Sequence, residues 1–150
     1  MKIASGLISS MVMPRDESGA SRQLVTGTCR TTGEVLATVS NESGSLLMER
    51  RPCGKASRGR FQAHLDGIPC GGPYTVTLAC GGEHVTVGDV LVGELWILAG
   101  QSNMEGSGLI TGTRTNENPL IRAYYMDDTW GMATEPICSW RLPLRPRTVV

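Results

Sequence analysis

The sequence lacks an excess of charge of either sign, because 14 lysine and arginine residues balance 14 aspartate and glutamate residues. Nucleic acids and anionic membrane surfaces attract proteins with a surplus of positive charge, so the composition predicts neither as a partner. Long apolar runs are missing as well, since no stretch approaches the roughly 20 residues that cross a bilayer. We therefore expect a globular protein that binds neither nucleic acid nor a membrane.

The N-terminal segment lacks a clear export signal. Lys2 is followed by a mainly apolar run from Ile3 to Met13, but serines and a glycine interrupt that run. The charged segment from Pro14 to Glu17 follows without a convincing small-residue cleavage site. We therefore expect a cytoplasmic protein.

Paired cysteines at metal-binding spacing are also absent. The sequence has five cysteines, and no two of them form a CxxC pair: Cys29, Cys53, Cys70, Cys80 and Cys138. Structural zinc requires clustered ligands at short spacing, so we expect no zinc site. We also expect no cofactor. An odd number would leave one thiol outside any disulfide framework, which favours buried or half-buried reduced cysteines.

Residues from about 20 to 90 are rich in short runs with strand-like patterns. In Arg60–Leu65, for example, Phe61, Ala63 and Leu65 alternate with polar residues. Glycine-containing turns separate the runs at a spacing of about ten residues, a pattern typical of a small antiparallel β-sandwich. The predicted strands are Gln23–Thr28, Glu34–Val39, Ser45–Glu49, Arg60–Leu65, Pro73–Leu78 and Glu83–Val87.

The pattern changes near residue 90. Leu95–Ala99 contains no polar residue, and a strand that is apolar on both faces is typical of a parallel sheet covered by helices. Ile121–Met126 predicts a second strand, and Asp127–Gly131 a turn. We therefore predict two domains, a β-sandwich over 1–89 and the beginning of an α/β/α domain over 90–150. Two strands do not complete such a sheet, so we expect the second domain to be truncated.

Ser102 lies where the predicted buried strand passes through Gly100 into a predicted helix. Such a turn exposes a serine hydroxyl at the carboxyl end of a sheet, beside the backbone N–H groups of a helix start. A serine there can act as a nucleophile if a base takes its proton. The alternative is structural, because Ser102–Glu105 also fits the capping-box pattern S-x-x-E, in which the hydroxyl accepts a backbone N–H.

The segment Gly100-Gln101-Ser102-Asn103-Met104 resembles the nucleophile block of the sialate O-acetylesterase family, which belongs to the SGNH hydrolases. The likeness extends to further segments: Met11–Asp16, Gly71–Thr77, Val87–Glu94, Ile121–Trp130 and Glu135–Pro136. The resemblance implies a β-sandwich joined to a flavodoxin-like α/β/α domain. It also implies metal-free removal of acetyl groups from sugars, above all from sialic acid.

The resemblance assigns Ser102 as the catalytic nucleophile. Gly100, Gln101, Asn103 and Met104 are then expected to contact the substrate or to support the oxyanion. Trp96 is expected in the core of its strand, whereas Trp130 is the better candidate for a wall of the sugar site.

The catalytic base of the family has no counterpart in this sequence. The family's histidine and acid come near the C-terminal end of the α/β domain, whereas His64 and His84 lie on predicted strands of the sandwich. We expect both to be solvent-face residues and the 150 residues alone to show weak or no esterase activity. Two alternatives remain: a non-catalytic, carbohydrate-binding β-sandwich, or a structural domain that packs on a partner.

Overall fold

A computed structural model describes residues 1–101, 118–125 and 127–134 of the chain. The chain divides into two compact units, Met1–Trp96 and Ile97–Val150. All regular structure in the described residues is β-strand. In that part of the chain, no helix is long and apolar enough to cross a membrane.

The first unit contains eight strands. Six of them coincide with the six predicted runs and are longer than those runs, whereas the two nearest the N-terminus were not predicted. The strands are β1 (Lys2–Ser5), β2 (Val12–Pro14), β3 (Ala20–Thr28), β4 (Gly33–Asn41), β5 (Leu46–Ser57), β6 (Arg60–Pro69), β7 (Gly71–Cys80) and β8 (Glu83–Gly93).

The eight strands form one sheet in the order β1-β3-β6-β5-β4-β7-β8-β2. The neighbours are antiparallel except at one edge, where β2 runs parallel to β8 and Val12 lies opposite Leu91. The prediction of a β-rich N-terminal part is therefore confirmed. The prediction that all its strands are antiparallel is wrong, because β2 and β8 are far apart in sequence and no local pattern specifies their relative direction.

The sheet curls so that its two ends approach each other. Beyond β2, Arg15 forms an isolated antiparallel bridge with Ser21 at the start of β3. The backbone N–H of Asp16 donates to the carbonyl of Ala20 at 2.8 Å, which tightens this link. The segment after β2 thus connects the β2 edge of the sheet with β3.

Alternation along each strand places the core inside the curl. On β6, Phe61, Ala63 and Leu65 are buried, whereas Gln62 and His64 are exposed, as the sequence predicts. Successive side chains of a strand point to opposite faces, so one face fills the interior. The other strands contribute further fully buried side chains, including Met13, Val25, Val35, Val39, Val76, Leu78 and Val90.

Gly54 allows two strands to approach closely. It lies opposite Ala63 in the β5–β6 ladder, and a Cβ at this position would overlap the carbonyl oxygen of Gln62. Any larger residue would have to separate the strands there.

The second unit contains a hairpin of β9 (Arg122–Tyr124) and β10 (Trp130–Met132) in its described part. Ile121–Met126 was predicted as a strand, and β9 lies within it. The backbone N–H of Tyr125 donates to the carbonyl of Thr129 at 2.9 Å and closes the turn. The described residues do not include the strand-and-helix arrangement of an α/β/α domain.

Candidate functional site

β8 leads the chain toward the candidate nucleophile segment. Val90, Leu91 and Val92 are buried, and β8 is hydrogen-bonded between β7 and β2. The backbone N–H of Leu91 also donates to the carbonyl of Met11 at 2.9 Å. The approach is therefore fixed within the sheet as far as Gly93.

Arg15 holds the end of β8. Its backbone N–H donates to the carbonyl of Gly93 at 3.0 Å, and its guanidinium forms an ion pair with the carboxylate of Glu94. The ion pair is exposed, so its contribution to stability is small. The backbone contact gives the segment after β2 a definite position beside the end of β8.

An open, charged cavity of about 690 Å³ lies at this point of the first unit. The hydroxyl of Ser18 donates to the carboxylate of Asp16 at 2.5 Å, and this hydrogen bond lowers the pKa of Asp16. Ser18 is therefore engaged in a turn contact. The cavity is lined by Arg15, Asp16, Glu17, Ser18, Arg22 and Glu94.

Leu95–Ala99 differs from the sequence prediction. The structure assigns no strand to this segment, and its side chains are exposed. Trp96, expected in a core, is 84% exposed, and Ile97 is 92% exposed. The prediction of a buried strand is therefore wrong. A strand requires a hydrogen-bonding neighbour, and no described residue pairs with Leu95–Ala99.

The predicted site residues fall into two groups. Gly100 and Gln101 directly follow the exposed segment and are themselves exposed. Ser102, Asn103 and Met104 lie outside the described residues. The roles of all five therefore remain predictions from the sequence.

The β9–β10 hairpin carries an aromatic pair, Tyr124 and Trp130, of which only Trp130 was predicted from the sequence as a site residue. Trp130 begins β10 and does not lie in the turn, which corrects the prediction of a turn over Asp127–Gly131. Its ring centroid is 5.4 Å from that of Tyr124, at an interplanar angle of 51°. The phenol of Tyr124 donates to the carboxylate of Asp128 at 3.0 Å. Tyr124 could have been found from the sequence because it ends a predicted strand from which a short turn leads back to Trp130. Side chains directly opposite each other in such a hairpin make contact.

A comparison with protein families gives a match to this part of the chain. Residues 92–143 match the family described as carbohydrate esterase, sialic acid-specific acetylesterase. The resemblance predicted from the sequence is confirmed over this range, which we call the esterase-like segment. It contains Gly100–Met104 as well as both strands of the hairpin. No curated protein matches the chain.

Both histidines lie outside the esterase-like segment. His64 is on β6 opposite Leu24, and His84 is on β8 opposite Ala79. Both side chains are exposed, as predicted for solvent-face residues. Three strands separate β6 from β8 in the sheet, so the structure does not bring the two imidazoles together.

Glu83 is the centre of a second polar cluster. Its carboxylate accepts hydrogen bonds from the α-amino group of Met1 at 2.6 Å and from the N–H of Thr31 at 2.8 Å. These bonds, that of the ammonium group first, lower the pKa of Glu83 to about 2. The thiol of Cys29 lies 3.6 Å from the same carboxylate. The cluster joins the end of β3 to the β7–β8 turn.

The described cysteines are free thiols, and their surroundings differ. Cys29 and Cys80 are buried, Cys53 is half-buried and Cys70 is exposed. Burial raises the pKa of Cys53 to about 11, and it raises the pKa of Cys80 with a further contribution from Cys29. In the described part of the chain, no group of three or more His, Cys, Asp or Glu side chains is arranged to hold a metal ion.

Proposed function

We propose that the protein is a carbohydrate esterase that removes O-acetyl groups from sialic acid or a related acetylated sugar, with Ser102 as its nucleophile. The observation that carries the proposal is the family match over residues 92–143, which includes the Gly100–Met104 segment. At the level of the family, this match supports an esterase that acts on carbohydrate. The assignment of the serine rests on the resemblance of the segment to the family's nucleophile block.

The chemistry follows from the properties of a serine hydroxyl. A base removes the proton from Ser102 Oγ as the oxygen attacks the carbonyl carbon of the acetyl group. The resulting oxyanion is stabilised by N–H donors, for which we propose the segment around Ser102, including Gln101 and Asn103. Loss of the protonated sugar oxygen leaves an acetyl group on the serine. Water then attacks this ester and releases acetate.

We propose that the proton acceptor is neither of the two histidines of this chain. His64 and His84 lie on strands outside the esterase-like segment, and the family supplies its histidine from a later part of the α/β domain. We therefore propose a domain of the α/β/α type that begins near residue 90, after a β-rich domain over 1–89. A serine without its base retains only residual activity, because the members of a triad act as a unit.

A fluorophosphonate probe tests the serine directly, since it forms a covalent bond with an activated serine hydroxyl. The probe is applied to the 150-residue chain and to a longer form that carries a downstream Asp-x-x-His. We expect strong labelling of the long form at Ser102 and little labelling of the short one. Ser102→Ala removes the labelling, whereas Ser107→Ala, a serine five residues further on, does not. Labelling that persists in Ser102→Ala would rule out this nucleophile.

A second candidate is a non-catalytic carbohydrate-binding or interaction module. Two observations favour it: the family match leaves Met1–Leu91 outside, and that part of the chain has its own core and supplies every lining residue of the open charged cavity except Glu94. Glycan-array binding by the intact chain separates the two functions. Loss of glycan binding in Arg22→Ala, with binding unchanged in the exposed control Arg58→Ala, would support the module.

A further inference from the structure

Two buried cysteines lie at the same end of the first unit. Cys29 directly follows β3, and Cys80 is the last residue of β7. Cys80 extends the inward-facing series of Val76 and Leu78, because alternate residues of a strand share a face. The two cysteines are 2% and 1% exposed. Both thiols therefore lie in the interior of the curled sheet.

Glu83 and Thr31 connect the two thiols. Cys80 pairs with Glu83 across the end of the β7–β8 hairpin, and its thiol donates to the carbonyl of Thr31 at 3.8 Å. The thiol of Cys29 donates to the carboxylate of Glu83 at 3.6 Å. The backbone N–H of Thr31 donates to the same carboxylate oxygen at 2.8 Å. Each thiol thus contacts a residue held beside the other cysteine, which brings the two side chains together.

The electrostatics of Cys80 reflect the same proximity. Burial makes the largest contribution and raises the pKa of the Cys80 thiol. The charge of Cys29 and a hydrogen bond with its side chain raise this pKa further, and the charge of Glu83 adds a smaller increase. Hydrogen bonds act only over a short distance, so the sulfur atoms of the two cysteines are neighbours.

Neither thiol depends on a strong hydrogen bond. The distances of 3.6 and 3.8 Å to oxygen are long, and a thiol is a weak donor. The carboxylate of Glu83 would keep the hydrogen bonds from the backbone N–H and the hydroxyl of Thr31 after loss of the Cys29 proton. Loss of both thiol protons therefore costs little hydrogen bonding.

Both cysteines lie where the sheet can adjust. Cys29 begins the loop between β3 and β4, and Cys80 is followed by the turn at Gly81 and Gly82. Strand ends and turns open at a lower free energy than the middle of a sheet. Small movements there can admit an oxidant and bring the sulfur atoms to the disulfide bond length of about 2.05 Å.

We propose that Cys29 and Cys80 are a site of oxidative modification, at which a small-molecule disulfide such as oxidised glutathione joins the two thiols in a disulfide. One protein thiolate attacks a sulfur of the small disulfide, forms a mixed disulfide and releases one small thiol. The second protein thiolate attacks the sulfur of the first cysteine, forms the Cys29–Cys80 bond and releases the second small thiol. The protein thus loses two electrons and two protons, which the small disulfide gains as it is reduced to two thiols.

The bond would link the end of β3 to the β7–β8 hairpin. It would close a loop of about 50 residues that contains β4, β5, β6 and most of β7. A bond across so long a loop restricts the unfolded chain, so the oxidised form is expected to be more stable. β8 starts at this hairpin and ends at Gly93, within the esterase-like segment. Oxidation therefore stabilises the part of the chain that leads into that segment.

Equilibration in glutathione buffers tests the pair. The variant Cys53→Ser/Cys70→Ser/Cys138→Ser retains only Cys29 and Cys80. It is equilibrated with mixtures of oxidised and reduced glutathione in native buffer and in urea, and alkylation with mass spectrometry measures the fraction of protein disulfide. We expect the equilibrium constant for this disulfide to be at least about tenfold higher in native buffer, equivalent to about 1.4 kcal/mol of stabilisation. A smaller ratio, or a protein that stops at mixed disulfides with glutathione, would overturn the proposal.

A second pair of cysteines is the matched control. The variant Cys29→Ser/Cys80→Ser/Cys138→Ser retains Cys53 and Cys70, whose thiols donate to carbonyls on two different strands. We expect native buffer to give this pair no advantage over urea. An advantage equal to that of Cys29 and Cys80 would mean that the ratio does not report their juxtaposition, and the proposal would be wrong.

The parent chain gives the same readout without any substitution, so a fold disturbed by the serines cannot hide the result. After oxidation in native buffer, peptide mapping is expected to recover the Cys29 peptide linked to the Cys80 peptide. The urea midpoint of the oxidised parent is expected to exceed that of the reduced parent. A different linked pair, or an equal or lower midpoint, would contradict the proposal.

Discussion

The hydroxyl of Ser21, buried within the first unit, donates to the carbonyl of Leu65 at 2.8 Å. The same oxygen accepts the backbone N–H of Ile68 at 3.1 Å. One small side chain thus satisfies two backbone groups of β6 from a position at the start of β3. This contact lies where the segment after β2 joins the curled sheet.

Ser21→Ala is expected to lower the free energy of unfolding by about 1–3 kcal/mol, because it leaves a buried donor and a buried acceptor unpaired. Urea unfolding followed by circular dichroism measures the change. Ser57→Ala is the matched control, since Ser57 also lies on a strand but is exposed. Equal stability of the two variants would contradict the role of Ser21.

Glu83 should make the stability of the protein depend on acid pH. Its pKa of about 2 in the folded protein lies below the ordinary value of 4.5, so its carboxylate stabilises the fold above pH 4.5. This contribution is lost as the pH falls from about 4.5 toward 2. In Glu83→Gln, we expect lower stability at pH 7 and a flatter decline over that window.

Urea midpoints at several pH values between 2 and 7 measure this effect of Glu83. Glu49→Gln is a suitable control because Glu49 lies on β5 and is exposed. Parallel pH curves for the parent and Glu83→Gln would show that Glu83 has an ordinary pKa in the folded protein.

The described thiols should react at very different rates. Cys70 is exposed, whereas Cys29 and Cys80 are buried, and the pKa of Cys53 is raised to about 11. The thiolate is the reactive form, so alkylation at pH 8 should modify Cys70 first. Iodoacetamide labelling with peptide mass spectrometry follows each site, and labelling in urea provides the unfolded reference. Labelling of Cys80 before Cys70 in the folded protein would be inconsistent with this structure.

Trp96 provides a test of the segment that differs from the sequence prediction. In a Trp130→Phe/Trp140→Phe variant, Trp96 is the remaining tryptophan of three. Its 84% exposure leads us to expect emission close to that of tryptophan in water and strong quenching by acrylamide. A variant that retains Trp130 alone, which is half-buried, should be quenched less. Shielded emission from Trp96 would instead support the buried strand that the sequence predicts.

The strand pattern and the resemblance of one segment to the esterase family could both be read from the sequence. Alternation of Phe61, Ala63 and Leu65 with polar neighbours predicts which face of β6 is buried, because a strand has a two-residue period whatever its partners are. The Gly100–Met104 segment predicted a resemblance to the carbohydrate esterase family, and the match over 92–143 confirms this resemblance. The chemical role of Ser102 within that segment stays a prediction.

Pairing between distant segments was decided only by the tertiary structure. Strand order decides the parallel contact of β2 with β8 and the hydrogen bonds at Glu83. Turn length decides the shorter-range contact between Tyr124 and Trp130. The apolar composition of Leu95–Ala99 indicates that burial of these side chains would be favourable, but burial also requires a neighbouring segment that covers them. Local sequence determines the face that a residue prefers, and the complete fold determines whether another segment is there to cover it.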